Sequence, residues 1–349
     1  MLLSIENGFS NRKMKVDDQI IRRIIKAYNL SKAKQKKMSE DYQVGYMWLP
    51  IYEGFMKEIM AALSSEDHEA VSKIYGNFFR EPCSIGLHGM PCDMFADYFT
   101  GTITEDAKGR YIADLMHRFN IWIDSIGKTM PITVLNAPDI GNPYGCFIDG
   151  NFYRAGCDYQ HYYATMISRL VRSPKHKFVL EIGGGFGGLA YFIVRDNPGL
   201  TYIDVDLPEN MALAAFFLLS GSPDKKIALY GEVDLAKDDL SQYDALILPN
   251  FAIQEIRDNA IDLCFNSYSL SEMPMTTVKN YMGHFNRISS KFIYHINHTS
   301  VGGIKADDFA VDYNKFELIS RAPALWGEAC NPKMDEYEFL YKTKNLSFC

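Results

Sequence analysis

The chain has 349 residues, 47% apolar, 23% charged and 13% aromatic. That balance excludes a disordered or low-complexity protein and fits one large domain or two ordinary ones. A net charge of −7 argues against general nucleic-acid binding, and no apolar run reaches the ~18 residues of a membrane span. The N-terminus, MLLSIENGFSNRKMKVDD, turns polar too early for a secretory signal, so the cytoplasm is the expected location.

Seven cysteines without a CxxC pair argue against a disulfide framework. Cys83, His88 and Cys92 lie close in sequence but lack a fourth ligand, so no metal is expected there. Residues 1–40 hold ten Lys/Arg against four acids, read as the solvated face of a helix.

In chain order, the first 155 residues read mostly as helix. Ile20, Ile21, Ile24, Ile25 and Tyr28 recur at helical spacing, as do apolar positions between Met47 and Leu63 and between Tyr111 and Ile126. Glu81-Pro82, Gly89-Met90-Pro91 and Gly141-Asn142-Pro143-Tyr144-Gly145 mark loops. The aromatic-rich stretch from Asn142 to Tyr163 reads as a wall or lid, with a helix leaving it over His161–Arg172. Near Lys177 the pattern changes to short apolar strands alternating with helices, the mark of a parallel α/β sheet. Strands are expected at Phe178–Ile182, Thr201–Asp206, Ala245–Leu248, Ile261–Phe265 and Phe292–Ile296. Phe316–Ser320 and Tyr337–Tyr341 have no room between them for a crossover helix, so they read as an antiparallel closing pair. The expectation is an α/β, Rossmann-like sheet of seven strands with an antiparallel last strand over residues 156–349. A mostly helical cap or substrate domain over residues 1–155 precedes it.

The informative stretch is Glu181-Ile-Gly183-Gly-Gly185-Phe-Gly187-Gly188-Leu-Ala, a buried strand running into a glycine turn and a helix. Glycines there admit positive φ and let a ligand approach backbone closely, at the strand end where open α/β sheets bind ligands. Gly183-x-Gly185-x-x-Gly188 fits a dinucleotide fingerprint. Glu181-x-Gly183-x-Gly185-x-Gly187 fits the signature of proteins that bind S-adenosylmethionine (SAM). The carboxylate decides for SAM, because Glu181 can face the ammonium of an amino acid but would repel a pyrophosphate. Asp206, followed by Leu207 at the end of the second strand, suits both ribose hydroxyls of an adenosine. Asp204 shares its parity but lies one pleat earlier.

Through these residues, through Tyr202-Ile-Asp-Val-Asp-Leu-Pro-Glu, and through Ile261-Asp-Leu-Cys-Phe-Asn-Ser-Tyr-Ser-Leu-Ser-Glu-Met, the chain resembles class I SAM-dependent methyltransferases. More narrowly it resembles the sugar O-methyltransferase family, over residues 140–300. Phe186 departs from the tyrosine common in those relatives. The resemblance implies that Asn250 and Phe251 flank the adenine and that Asn266 lies beside the methionine part. It also implies O-methylation of a small molecule, such as a sugar or sugar-bearing natural product.

Methyl transfer to an alcohol needs an aligned nucleophile and gains from a base near neutral pKa. The candidate bases are His298 first, then Glu272 and His161, with His295 on the opposite side of the pleat from His298. Asn142, Tyr144, Tyr159 and Tyr163 are the candidate acceptor contacts. Expected partners are a small-molecule substrate, with no nucleic acid and no membrane, and a homodimer is left open. Three rivals stand beside this reading. In one, SAM's own amine attacks to close azetidine-2-carboxylate and release methylthioadenosine. The others are a nicotinamide-dependent oxidoreductase and a non-catalytic SAM-binding module.

Overall fold

The computed structural model describes residues 4–85, 87, 103–299, 304–326 and 335–345. His88, Cys92, Cys330, Cys349 and the Gly89-Met90-Pro91 loop lie outside the described residues. Cys83, Cys146, Cys157 and Cys264 are free and buried.

A strand β1 (Ile5–Asn7) opens the chain and pairs antiparallel with β2 (Gly145–Ile148), which pairs with β3 (Asn151–Arg154). This small sheet departs from the helix-and-lid reading of residues 142–163. Its hairpin turns on Asp149 and Gly150, both with positive φ (49° and 77°), the Asp-Gly pair that a two-residue hairpin favours. Between β1 and β2 run helices α1 (Asp18–Gln35), α2 (Leu49–Glu53), α3 (Lys57–Ser64), α4 (His68–Tyr75) and α5 (Glu105–Ser125). Asp17 caps α1 through its carboxylate, and Asp67 caps α4 in the same way. The single helix expected from Met47 to Leu63 is two, interrupted at Gly54. Helix α6 (Cys157–Leu170) begins one turn before the expected His161.

The main sheet has eight strands in the order β10-β11-β9-β8-β4-β5-β7-β6. They are β4 (Lys177–Ile182), β5 (Leu200–Asp206), β6 (Ile227–Leu229), β7 (Ala245–Pro249), β8 (Ile261–Ser267), β9 (Ser289–His298), β10 (Phe316–Pro323) and β11 (Glu336–Thr343). Strands β4 to β9 are parallel, and β11 inserts antiparallel between β9 and β10. The antiparallel ending agrees with the sequence reading, while the count is eight rather than seven. The extra strand is β6, whose three residues are too few to display a period.

Alternation along the strands builds two cores. Val179 and Tyr202 face the layer holding α1, α7 (Gly188–Asp196) and α8 (Pro208–Gly221). Leu180, Ile182, Ile203 and Val205 face α9 (Met275–Ile288). Helix α8 is apolar around its whole circumference because the sheet covers one side and α1 the other. No helix among the described residues is long and apolar enough to cross a membrane. Sequence progression runs outward from β4 to β5 and then returns across β4 to β8. This reversal opens a crevice at the carboxyl ends of β4 and β8.

Candidate active site

A cavity of about 540 Å³ occupies that crevice. Its inner wall is the turn from β4 into α7. Gly183 sits at φ +78°, and a Cβ there would lie 2.3 Å from Ser269 Oγ. A Cβ on Gly184 would lie 2.5 Å from Asp204 Oδ1, so both positions exclude a side chain. The turn is held from the neighbouring strand. The Gly184 N–H donates to Asp204 Oδ1 at 3.2 Å, and the Gly185 N–H donates to Asp206 Oδ2 at 3.0 Å. Asp206 also accepts from the Leu207 N–H at 2.6 Å and from Asn210 at 3.2 Å.

Three buried carboxyls therefore meet at this turn. Burial pushes the Glu181 carboxyl up to about 8, against the hydrogen bond donated by the Tyr202 hydroxyl. Burial likewise raises Asp206 to about 7, opposed by its N–H donors. Asp204 is raised by burial and by its two acidic neighbours. Glu181 and Asp206 line the cavity, whereas Asp204 stays behind it with one oxygen unpartnered among the described residues.

Of the expected cofactor contacts, Glu181, Gly183, Gly185, Asp206, Leu207 and Asn250 line the cavity. Gly187 (φ +85°) instead starts α7 and packs on Leu218 of α8. Asn250 donates to the Tyr281 hydroxyl at 3.0 Å. Phe251 and Asn266 do not line the cavity. Phe251 points into the core on the α9 side, edge-on to Tyr230. Asn266 is fully buried, donating to the Ile182 carbonyl at 2.9 Å and accepting from Asn297 at 2.8 Å. It joins the ends of β4, β8 and β9 instead of meeting a ligand.

The expected acceptor contacts divide in the same way. Tyr159 and Tyr163 line the cavity. The Tyr159 hydroxyl is hydrogen-bonded to Ser267, and the Tyr163 hydroxyl donates to Glu338 at 2.6 Å. Asn142 instead binds Asn11, Asn77 and the Arg12 N–H, tying the N-terminal segment to its own loop. Tyr144 lies under the Arg80 guanidinium, 4.0 Å from ring centre, and against Phe9.

Among the candidate bases, Glu272 alone lines the cavity. It accepts the Trp48 indole N–H at 2.7 Å, and burial raises its pKa against the pull of Trp48 and His298. His161, on α6, is buried against Trp122 and Phe192, where it accepts from Trp122 at 3.1 Å, and burial lowers it to about 4. His295 stacks on Phe339 in the opposite core and is lowered to about 3. His298 ends β9, with its ring against Tyr268 and its Nδ1 3.6 Å from Asp335. His298, Asp335 and Glu336 bring three metal-capable atoms within 4.8 Å, although Glu336 already accepts the Tyr268 hydroxyl at 2.9 Å. Tyr268 itself is held at φ +64°, a conformation rare for an aromatic residue, and its ring lines the cavity.

Sequence reasoning missed the outer wall. It consists of Glu40, Asp41, Tyr46 and Trp48 from the segment before α2, facing Met273, Thr276 and Thr277 at the start of α9. It also missed Gln160, which packs over Gly188 and accepts from Arg154.

No family model and no curated protein matches the chain. Among solved structures, it is similar to a TehB-like SAM-dependent methyltransferase of Corynebacterium glutamicum, at 14% identity over 52% of this chain and 86% of that one, with a TM-score of 0.36. A phosphoethanolamine N-methyltransferase of Haemonchus contortus, in complex with S-adenosylhomocysteine, matches at 12% identity over 66% and 60%, with a TM-score of 0.35. The magnesium protoporphyrin IX methyltransferase of Synechocystis, with bound SAM, matches at 10% identity over 54% and 77%, with a TM-score of 0.32. Likenesses of this size decide neither fold nor activity.

Proposed function

We propose that the protein is a SAM-dependent methyltransferase that modifies a hydroxyl of a small molecule, with a sugar or sugar-bearing natural product as the acceptor class. The observation that carries this reading is the union, in one cavity, of a glycine turn with Glu181 and Asp206. Glu181 is a deeply buried carboxylate whose partner among the described residues is a tyrosine hydroxyl. A buried carboxylate without a cation is costly, and a ligand ammonium relieves it. Asp206 accepts the ribose hydroxyls, Leu207 and Asn250 flank the adenine, and the exposed backbone of the turn fits the amino-acid portion. Residues 1–155 then act as the cap that completes the acceptor side.

SAM, when bound, supplies an electrophilic methyl group. The chain's task is to align the acceptor and remove its proton. Glu272 takes the place of the expected histidine as base, because it lines the cavity and burial raises its affinity for a proton. Trp48 fixes the carboxylate through the indole N–H. Tyr159, Tyr163 and Tyr268 line the cavity, and aromatic side chains there suit a sulfonium by cation–π attraction and exclude water.

The test is to incubate the purified protein with SAM alone and follow products by mass spectrometry, beside Glu181→Ala and Asp206→Ala. The expected result is intact SAM that stabilises the wild type and neither variant. S-adenosylhomocysteine then appears only when a hydroxylated acceptor is added. Methylthioadenosine released without acceptor, and lost in both variants, would replace this reading with self-cyclisation of SAM.

A further inference from the structure

The ionisable lining of the cavity is one-sided. Glu40, Asp41, Glu181, Asp206 and Glu272 line it, and no Lys, Arg or His does so among the described residues. An anionic acceptor entering here would lose hydration and meet no compensating cationic side chain among the described lining residues.

The five carboxylates fall into two groups. Glu181 and Asp206 belong to the glycine turn. If that half holds SAM, its ammonium and sulfonium, less its carboxylate, answer one negative charge there. Glu40, Asp41 and Glu272 belong to the other wall, together with the rings of Tyr46 and Trp48. Asp41 accepts the Thr277 hydroxyl at 3.3 Å and Glu272 accepts the Trp48 indole at 2.7 Å. Both are neutral donors that orient a carboxylate; Glu272 also feels His298, which stands outside the cavity lining. Carboxylates beside aromatic faces form a receptor for an organic ammonium, by ion pairing and cation–π attraction together.

We propose that the acceptor is a hydroxylated molecule bearing a protonated amine, which the wall of Glu40, Asp41, Tyr46, Trp48 and Glu272 receives as a cation, while phosphorylated and carboxylated acceptors are refused. This rests on the reading of the glycine-turn half as the SAM site.

The experiment uses the full chain, freed of metals with EDTA and saturated with S-adenosylhomocysteine. The probes are three hexoses of one skeleton and different charge, namely glucosamine, glucose and glucose 6-phosphate. Trp48 is the reporter, since Trp122 and Trp326 are buried and Trp48→Phe subtracts its share of the fluorescence. Glucosamine is expected to give a saturable change with a midpoint at least about tenfold below that of glucose, and glucose 6-phosphate none. Glu272→Gln and Asp41→Asn are each expected to raise the glucosamine midpoint by about threefold to tenfold, with S-adenosylhomocysteine binding retained as proof of folding. Glucose 6-phosphate binding as tightly as glucosamine overturns the proposal, as do equal midpoints for glucosamine and glucose. So does the absence of any response to glucosamine by about 10 mM. The same saturable change produced by Mg²⁺ alone would assign the wall to a metal and overturn it too. Failure to bind S-adenosylhomocysteine counts against the SAM reading. The charge order of the three hexoses, measured with or without that ligand, decides this proposal.

Discussion

The inner wall of the cavity is mostly backbone, a glycine turn pinned by Asp204 and Asp206 from the adjacent strand. The outer wall is mostly side chains, assembled from segments far apart in sequence, with Trp48 and Glu272 in contact across 224 residues. The first is fixed by steric necessity and tolerates almost no change. The second is set by which side chains the helical region happens to deliver, and it can change acceptor without disturbing the turn. Cofactor affinity should therefore belong to one wall and acceptor choice to the other.

The strongest way to break that division is Gly183→Ala. The positive φ and the Ser269 contact at 2.3 Å should cost about 1–3 kcal/mol and abolish SAM binding, read by thermal unfolding and calorimetry. Retained affinity would mean that the turn is not the binding wall. Next comes Glu181→Gln, which keeps the shape and removes the charge. SAM affinity should fall by about tenfold or more, while Glu272→Gln should move it by no more than about threefold. Equal losses in the two variants would erase the distinction between the walls.

The carboxyls predict a pH dependence with a definite sign. Glu181 and Asp206 rise from 4.5 and 3.8 to about 8 and about 7 on folding. The ligand-free native state therefore binds more protons than the unfolded chain across this range. That contribution to stability is complete below about pH 4 and is lost as pH rises through 7 to 8. Denaturant titrations of the free protein should show stability falling over this window. SAM affinity should rise over the same window, as Glu181 ionises to meet the ammonium and Asp206 to accept the ribose hydroxyls. A flat profile for both would remove these groups from the site. The smallest effect on SAM affinity is expected at His161. His161→Ala strands the Trp122 indole N–H and should cost about 1–3 kcal/mol of stability, with SAM affinity within about twofold of wild type.

The division between the walls also marks what could be read from the sequence. The glycine turn, Asp206 and Leu207 were legible because strand, turn and helix are contiguous, and local spacing fixes their geometry. The antiparallel ending was legible from the short connection before β11. Asn266 and Phe251 were not, since both stand at strand ends where function is expected. Only the register of β4, β8 and β9 reveals that Asn266 is consumed by the Ile182 carbonyl and by Asn297. One residue along from Phe251, Asn250 lines the cavity while the ring turns into the core. The β2–β3 hairpin turns on Asp149-Gly150, a pair that favours such a turn, whereas the sequence analysis read this stretch only by its aromatic content. Glu40, Asp41, Tyr46 and Trp48 carried no local signal, because what holds this segment is distant in sequence: the Tyr42 hydroxyl meets His284 and Asn280 of α9, Asp41 meets Thr277, and Trp48 meets Glu272.

The most direct test of the two-walled site is a crystal structure of the protein with S-adenosylhomocysteine. The ligand is expected against the glycine turn, with its amino group at Glu181, its ribose hydroxyls at Asp206 and its sulfur facing the wall of Trp48 and Glu272. Density for the ligand away from Glu181 and Asp206, or none in the cavity at saturating concentration, would contradict this assignment.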